Sequence, residues 1–206
     1  MNVIRTVEDM KQYIETSRLI LREWQEADIP HLARMNCDDK VMEYFLKTLS
    51  YEETIALYNQ IQEEFKRYGF GAYAVEERKT GTFVGFVGLH NVTFEVDFAP
   101  AVEILWRLLP EFWGKGYATE AAIACLNYAK EELKLNEVVS FTSLLNKRSE
   151  QVMQKIGMTR IKEFNHPLVE PNHPLYRHVL YGIDLTTLKS DYVGILSLIH
   201  ISEPTR

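Results

Sequence analysis

The sequence has very few cysteines and no long apolar segment. Its only cysteines, Cys37 and Cys125, show no metal-ligand or redox spacing, so nothing indicates a disulfide framework, and a reducing compartment is compatible. No run approaches the roughly 20 apolar residues that span a bilayer. The first residues carry acids and lack the apolar core of a secretory signal. We therefore expect a cytoplasmic protein with no membrane span.

Basic runs are also lacking. The formal net charge is -6, which argues against general affinity for nucleic acid phosphates or for an anionic membrane surface. A substrate with a cationic or amine-bearing end would suit this field better. A composition of 46% hydrophobic and 25% charged residues in 206 residues predicts one globular domain with a sizeable core.

A glycine turn separates a predicted strand from a predicted helix. The apolar run Ile104–Leu109 is typical of a buried strand, and a helical face follows, formed by Ala122, Leu126, Ala129 and Leu133. Between them, Gly114 and Gly116 have no β-carbon to keep a ligand off the backbone. The helix that they open offers unpaired N–H groups and the positive end of its dipole. The pattern favours a phosphate site, although glycines that merely begin a helix remain an alternative.

Two familiar nucleotide motifs do not fit this turn. Lys115 lies between the glycines and no Gly-Lys-Ser/Thr follows, which excludes a P-loop. Thr119 stands where the dinucleotide fingerprint would have its third glycine. A phosphate bound here would therefore belong to another kind of ligand.

Several spaced motifs resemble one family. The run V-E-I-L-W-R-L-L-P-E-F-W-G-K-G-Y-A-T-E-A, the strand V-V-S-F-T and the segment N-K-R-S-E-Q-V-M-Q-K-I-G-M resemble the acetyl-CoA-binding core of the GNAT N-acetyltransferases. The branch with ribosomal-protein N-terminal acetyltransferases is the most similar, since it also opens with a segment like T-S-R-L-I-L-R-E-W. The likeness covers Thr16 to Leu185. It implies a mixed α+β acyl-CoA N-acyltransferase fold, with a mostly antiparallel twisted sheet, helices on both faces and a splayed parallel strand pair at the CoA site.

Periodicity and turn residues predict the remaining elements. Helices are expected from Glu26 to Met35, from the capping box Ser50–Glu53 to Gly69, and from Asn146 to Gly157. Strands are expected at Arg18–Glu23, Phe70–Glu76, Thr82–His90, Val138–Thr142, Met158–Asn165 and Tyr176–Leu185. The domain would then cover residues 1–185. The tail, Thr186–Arg206, ends in S-E-P-T-R and is either appended material or a native segment that packs on the domain or a partner.

The resemblance assigns cofactor contacts by position. Backbone groups at Trp106, Leu108 and Leu109 would meet the pantetheine arm. The pyrophosphate would lie on a second group of residues, namely Gly114, Lys115, Gly116, Tyr117 and Ala118. Glu111 stands where the family often has Gln or Arg, so a side-chain phosphate contact is not expected there. Asn146 would contact the cofactor, with plain helix capping as the alternative.

Acetyl transfer needs a neutral amine, a base and a proton for the departing thiolate. Glu103 is the predicted base, against the alternative of a surface glutamate at a strand end, and His90 is a second candidate. Many members use a tyrosine acid where this chain has Met153, which cannot donate a proton. Ser149 is the predicted substitute, acting through water, and release without a side-chain acid is the alternative.

The sequence thus predicts an N-acetyltransferase that uses acetyl-CoA and no metal. His166, His173 and His178 lie in and beside a Pro-rich loop without a tight ligand motif. The acceptor would be a primary amine, on a protein N-terminus or a small molecule, attacking directly in a ternary complex. A non-catalytic acyl-CoA-binding or sensing protein is the alternative, because the acid tyrosine is missing. Neither the acceptor nor the oligomeric state can be read from the sequence, and a homodimer is compatible with it.

Overall fold

The protein is described over residues 11–188 from a computed structural model. Within these residues, eight strands form one sheet. Their bounds are β1 Gln12–Glu15, β2 Leu19–Arg22, β3 Ala72–Glu77, β4 Thr82–Asn91, β5 Val102–Leu108, β6 Glu137–Ser143, β7 Thr159–Asn165 and β8 Arg177–Asp184. The spatial order is β1-β2-β3-β4-β5-β6-β8-β7, and every neighbouring pair is antiparallel except β5 and β6. The predicted mostly antiparallel sheet with one parallel pair is confirmed.

Four α-helices connect these strands, namely α1 Ile29–Asn36, α2 Tyr51–Tyr68, α3 Tyr117–Glu131 and α4 Lys147–Lys155. Single 3-10 turns occur at Glu26–Asp28, Pro110–Phe112 and Leu185–Thr187. No helix in the described part of the chain is both long and apolar enough to cross a membrane.

The helices cover both faces of the sheet. Arg107 of β5 reaches Asn36 of α1 on one face. Its neighbour Trp106 is aligned across the sheet with Tyr73, which packs against Tyr128 of α3. Because successive strand residues point to opposite faces, α1 and α3 lie on opposite sides of β5. The first loops and α2 therefore wall one side of the central strands, and the helix after the glycine turn walls the other.

Local signals in the sequence correctly place both ends of α2. The capping box of Ser50 and Glu53 forms at the start of α2, and Gly69 ends that helix in the left-handed conformation. Helix α3 ends at Glu131, so Leu133 lies beyond it and packs against the core from the following loop. Strand β1 was not predicted, because its four residues are too few for a period-2 pattern to stand out.

The ordered fold continues past the predicted boundary at Leu185. Leu185 is fully buried, and Leu188 packs against the core while its carbonyl accepts a hydrogen bond from Lys130. The domain therefore includes three residues assigned to the tail from the sequence. Residues 189–206, the rest of that predicted tail, lie outside the described part of the chain.

Candidate active site

Strands β5 and β6 pair over only part of their length. Their register joins Glu103 to Val139, and the Ser140 hydroxyl then donates to the Ile104 carbonyl at 2.9 Å. Backbone groups alternate in direction along a strand, so Trp106 turns its N–H and C=O toward β6, where no ladder partner within residues 11–188 meets them. An extended ligand with amide groups can pair with this open strand edge as an added strand would.

The end of β5 is committed to protein contacts. The Leu108 carbonyl accepts a hydrogen bond from the Trp113 indole at 2.8 Å. The Leu109 N–H donates to the Val84 carbonyl, and its own carbonyl accepts from the Phe112 N–H, each at 3.0 Å. Leu109 is also 2% exposed and does not line the cavity described below. Both backbone groups of Leu109 thus already have protein partners, and its predicted contact with the cofactor stays a prediction.

The glycine turn, Gly114–Gly116, has the geometry expected of an anion cradle. Gly114 has φ 73° and Gly116 has φ 76°, a left-handed conformation that side-chain-bearing residues rarely adopt. Gly116 is the N-cap of α3 and provides no capping side chain, so the first N–H groups of the helix need a partner from outside it. A β-carbon built on Gly114 would meet nothing within 4 Å, so the space over the turn is open.

Cationic side chains border this turn. Lys115 and Arg148 both line the same cavity, and the Arg148 guanidinium lies 4.4 Å from the Trp113 ring centroid. Glu43 forms an ion pair with Arg148 at 2.8 Å. Glu111, by contrast, forms an ion pair with Arg34. An anion in the cradle would meet backbone N–H groups and two cations, without help from Glu111.

The turn is fastened from outside by the N-terminal strands. Arg18 donates from Nε to Glu120 at 2.6 Å and from Nη1 to the Lys115 carbonyl at 2.9 Å. Thr16 donates to the same Glu120 carboxylate at 2.6 Å. The Arg18 side chain thus holds both the first turn of α3 and the middle of the glycine turn. No pattern in the sequence indicated this role.

Asn146 organises the opposite wall of the gap. Its side-chain oxygen accepts from the Ser149 N–H at 3.1 Å, which caps α4. Its amide nitrogen donates to the Ser149 hydroxyl at 3.2 Å and to the Thr142 hydroxyl at 3.1 Å. The capping role expected as the alternative is therefore present, and it fixes the Ser149 hydroxyl at the cavity wall. Met153, one turn further on, is 1% exposed and has no proton to give.

Glu103 lies where β4 and β5 approach α2. Its carboxyl is surrounded by protein but keeps partial access to the cavity, and this burial raises the pKa of Glu103 to about 8. A carboxylate with such a pKa can accept a proton near neutral pH, which an ordinary surface glutamate does poorly. The alternative of a plain surface glutamate does not fit this environment.

His90 stands directly opposite Glu103 in the β4–β5 ladder. Its Nδ1 lies 2.7 Å from the Glu64 carboxylate of α2. Both predicted base candidates are therefore brought to one place, together with a second carboxylate. Glu64 was missed because its position on the inner face of α2 follows from tertiary packing, although its spacing from Ile61 and Leu57 could have suggested that face.

A cluster of aromatic side chains forms the far wall. Phe141 and His178 have ring centroids 6.4 Å apart, and His166 lies 4.8 Å from both His178 and Phe94. Burial, with a smaller contribution from the nearby His166, lowers the pKa of His178 to about 4. His178 is therefore neutral at pH 7. Within residues 11–188, no group of three or more His, Cys, Asp or Glu side chains is arranged to hold a metal.

One cavity of about 1060 Å³ joins these parts. Of the residues predicted from the sequence, it is lined by Glu103, Ser149, Trp106, Leu108, Gly114, Lys115, Gly116, Tyr117, Ala118 and Asn146. The charged residues of its lining are Glu64, Glu103, Lys40, Arg107, Lys115, Arg148 and Lys155. The cavity is therefore cationic on balance in a chain whose net charge is -6, which the overall composition did not indicate.

A family model described as an acetyltransferase (GNAT) domain matches residues 18–159. An uncharacterised N-acetyltransferase of Bacillus subtilis, YnaD, is 31% identical over 150 residues, which are 72% of this chain and 83% of that protein. The residues that the family model matches include the glycine turn, both strands of the gap and all of α4.

Solved structures give the same fold. An acetyltransferase of the GNAT family from Bacillus anthracis is 27% identical, with a TM-score of 0.71 over 84% of this chain and 98% of the other. A spermidine N-acetyltransferase from Vibrio cholerae, solved with CoA and spermine, has a TM-score of 0.68 at 19% identity over 86% of this chain and 99% of the other.

Proposed function

Since this chain belongs to the GNAT acetyltransferase family, we propose that it transfers acetyl from acetyl-CoA to a primary amine by direct attack in a ternary complex. One observation carries the proposal: a single cavity joins the open edge of β5, the glycine turn and the raised-pKa carboxyl of Glu103. The first two suit the pantetheine arm and the pyrophosphate of CoA, and the third suits an amine that must lose a proton.

Acetyl-CoA fits the residues that are present. The backbone of Trp106 offers hydrogen bonds to the amides of the pantetheine arm, and the N–H groups at the start of α3 offer them to the pyrophosphate. The bare surface over Gly114 leaves room for phosphate oxygens. Lys115 and Arg148 add charge. Asn146 lines the same cavity, where its side-chain amide already orients Ser149.

The reaction needs two proton movements. The amine nitrogen bonds to the thioester carbon as the carbon–sulfur bond breaks, so one proton leaves the nitrogen and one must reach the thiolate. Glu103 takes the first, directly or through water. Ser149 supplies the second, through water in contact with its hydroxyl.

His90 is the competing base. Its Nδ1 lies 2.7 Å from the Glu64 carboxylate and the residue lines the same cavity, so it can also receive the proton that Glu103 accepts. Glu103 is preferred because burial raises the pKa of its carboxyl to about 8, which suits a base near neutral pH.

Met153 favours a second function. At the position where many family members have a tyrosine, it is buried and cannot act as an acid. A protein that binds acyl-CoA as a sensor, without turnover, would need the cradle and the open strand but no acid.

A binding assay followed by a turnover assay separates the two functions. Acetyl-CoA and CoA should raise the melting temperature while ATP and NAD do not, because ligands that bind only the folded state stabilise it. Release of free CoA in the presence of peptides with free N-termini, polyamines, aminoglycosides or amino acids should then identify the acceptor. Equal stabilisation by ATP would reject the CoA site, and binding without any transfer would favour the sensor.

A further inference from the structure

The guanidinium of Arg107 is enclosed by protein, and it has no counter-ion within residues 11–188. It lies on β5 between the rings of Phe45 and Phe86, whose centroids are 4.1 and 5.1 Å away. Its Nη1 donates to the Asn36 side chain at 2.6 Å, while Nε is buried and has no hydrogen-bond partner. No carboxylate within residues 11–188 lies at ion-pair distance from it. Burial consequently lowers the pKa of Arg107 to about 10.

Arg22, in the same sheet, is a structural arginine with which Arg107 can be compared. It is 4% exposed and pairs with Asp28 at 2.8 Å and with Glu76 at 2.5 Å. Burial alone would lower the pKa of Arg22, but hydrogen bonds to the two carboxylates outweigh it, so the pKa is raised. An enclosed charge is costly unless it is paired, and Arg22 meets that requirement within the fold. Arg107 does not.

The side chain of Arg107 is also held in a fixed position. Asn36 is fully buried, and its amide nitrogen donates to the Thr54 hydroxyl of α2 at 3.1 Å. The oxygen of Asn36 is thereby directed toward Arg107, so α1 and α2 together orient the guanidinium. A charged group that is held in place and faces a cavity is arranged to receive a ligand.

Arg107 and Glu103 project from the same face of β5, because they are four residues apart and side chains alternate. At roughly 3.3 Å per residue, their positions on the strand are separated by about 13 Å. The open backbone of Trp106, where the acetyl end of the cosubstrate would approach, lies between them. An acceptor in this half of the cavity has a proton acceptor near one end and a fixed cation near the other.

We propose that Arg107 binds a carboxylate of the acceptor, so that the acetylated amine belongs to a zwitterionic small molecule of the amino-acid class. This inference rests on the proposed acetyltransferase function and names its substrate class. A guanidinium matches a carboxylate in shape and charge. The same charge repels the second ammonium of a polyamine, so diamines and polyamines should be poor acceptors.

The test compares acceptors that differ only in whether they carry a charged carboxylate or a neutral carboxamide. Amino acids with the amine on the α, β or γ carbon would be assayed for CoA release beside their carboxamides. The wild-type protein should prefer the acid by about 10- to 100-fold in kcat/KM, the size of one charge-assisted hydrogen bond or pair of bonds. In Arg107→Met, which keeps an unbranched apolar stem, the ratio of acid to amide should fall to near one, and Arg107→Lys should restore part of it.

Arg67→Met is the matched control. Arg67 is exposed near the end of α2, where its guanidinium lies 5.1 Å from the Tyr68 ring, and it does not line the cavity. This variant should keep the wild-type ratio. Stabilisation by acetyl-CoA would verify that each variant is folded.

Failure of the inference can be told apart from failure of the proposed function. Transfer to amines with equal kcat/KM for acids and amides, or to polyamines in preference to acids, would overturn the role of Arg107 while keeping the acetyltransferase. If no acceptor is acetylated, a second measurement tests the carboxylate site by itself: whether the same amino acids raise the melting temperature of the acetyl-CoA complex. A melting-temperature increase in wild type that is lost in Arg107→Met would support the carboxylate site, and no increase in wild type would reject it.

Discussion

The two halves of the cavity are built in different ways. The cofactor half consists of the open backbone of Trp106 and the turn from Gly114 to Ala118, which present mainly backbone groups. The acceptor half combines side chains from separate segments, namely Asn36, Glu64, His90, Glu103 and Arg107. Backbone recognition needs only an unobstructed conformation, whereas side-chain recognition needs particular functional groups at fixed distances. Substitutions in the first half should therefore change affinity for the cosubstrate, and those in the second should change turnover and acceptor choice.

The largest effect that separates the halves is expected from Glu103→Gln. The amide keeps the size of the side chain but cannot accept the proton from the amine, so kcat should fall by ~10²–10⁴-fold. Acetyl-CoA affinity should change little, and a titration of the melting temperature would measure it. Full turnover in Glu103→Gln combined with a large loss in His90→Ala would transfer the role of base to His90.

The pH dependence of turnover tests the same assignment of Glu103 as the base. With the pKa of Glu103 at about 8 in the free protein, kcat/KM should rise about tenfold per pH unit below that value and level off above it, as far as this group is concerned. A profile that levels off near pH 5 would contradict the raised pKa. In Glu103→Gln the rise attributable to this group should disappear.

Stability provides a control that needs no substrate. An ordinary glutamate has a pKa of 4.5, so between pH 4.5 and about 8 the folded protein binds a proton at Glu103 that the unfolded chain has lost. The free energy of unfolding should therefore decrease as the pH rises through this window. Urea unfolding at several pH values should show a weaker decrease for Glu103→Gln than for the wild type.

Gly116→Val should act on the cofactor half. A branched side chain would have to adopt the left-handed conformation and would cover the N–H groups at the start of α3, so Kd for CoA should rise by about 10- to 100-fold, as for the loss of one or two charge-assisted hydrogen bonds. Gly81→Val is the matched control. Gly81 has φ 68° with open space around it, but it lies in the β3–β4 turn away from the cavity. Equal losses of CoA affinity in both variants would mean that strain, and not the cradle, is responsible.

The smallest effect is expected from Ser149→Ala. Only the hydroxyl is removed, and the cap of α4 remains because it uses the Ser149 backbone N–H. If the hydroxyl delivers a proton through water, kcat should fall by about tenfold, below the ~10²–10⁴-fold typical of a dedicated acid. Stopped-flow measurement of thiol release would check this. Unchanged kcat would indicate that the thiolate leaves without a side-chain acid.

The same contrast explains what the sequence could predict. Gly114, Gly116 and the alternation of the strand before them are local patterns, so the strand, turn and helix are predicted together. The Asn146 cap is local as well. Glu64 and Asn36 become site residues only through packing between segments, and no periodicity in the sequence announces a contact with His90 or Arg107.

Leu109 shows a different limit of prediction from the sequence. Its position in the motif resembles that of residues that meet the cofactor, but an alternation of backbone direction places its N–H toward β4. Predicting this requires the register of the strand relative to its neighbour, which a count along one segment does not provide. The charge of the cavity was hidden for a similar reason, since net composition averages over surfaces that face different ligands.

The contact between Arg18 and Glu120 has a consequence for the order of assembly during folding. The two residues are 102 positions apart, so their contact can form only after a long stretch of chain has been synthesised and the N-terminal strands have docked. Contacts of such separation form late, because the entropy of closing the loop is lost before the contact stabilises anything. We therefore expect the glycine turn to reach its final shape in one of the last folding steps, and CoA added to refolding protein to slow unfolding more than it speeds folding.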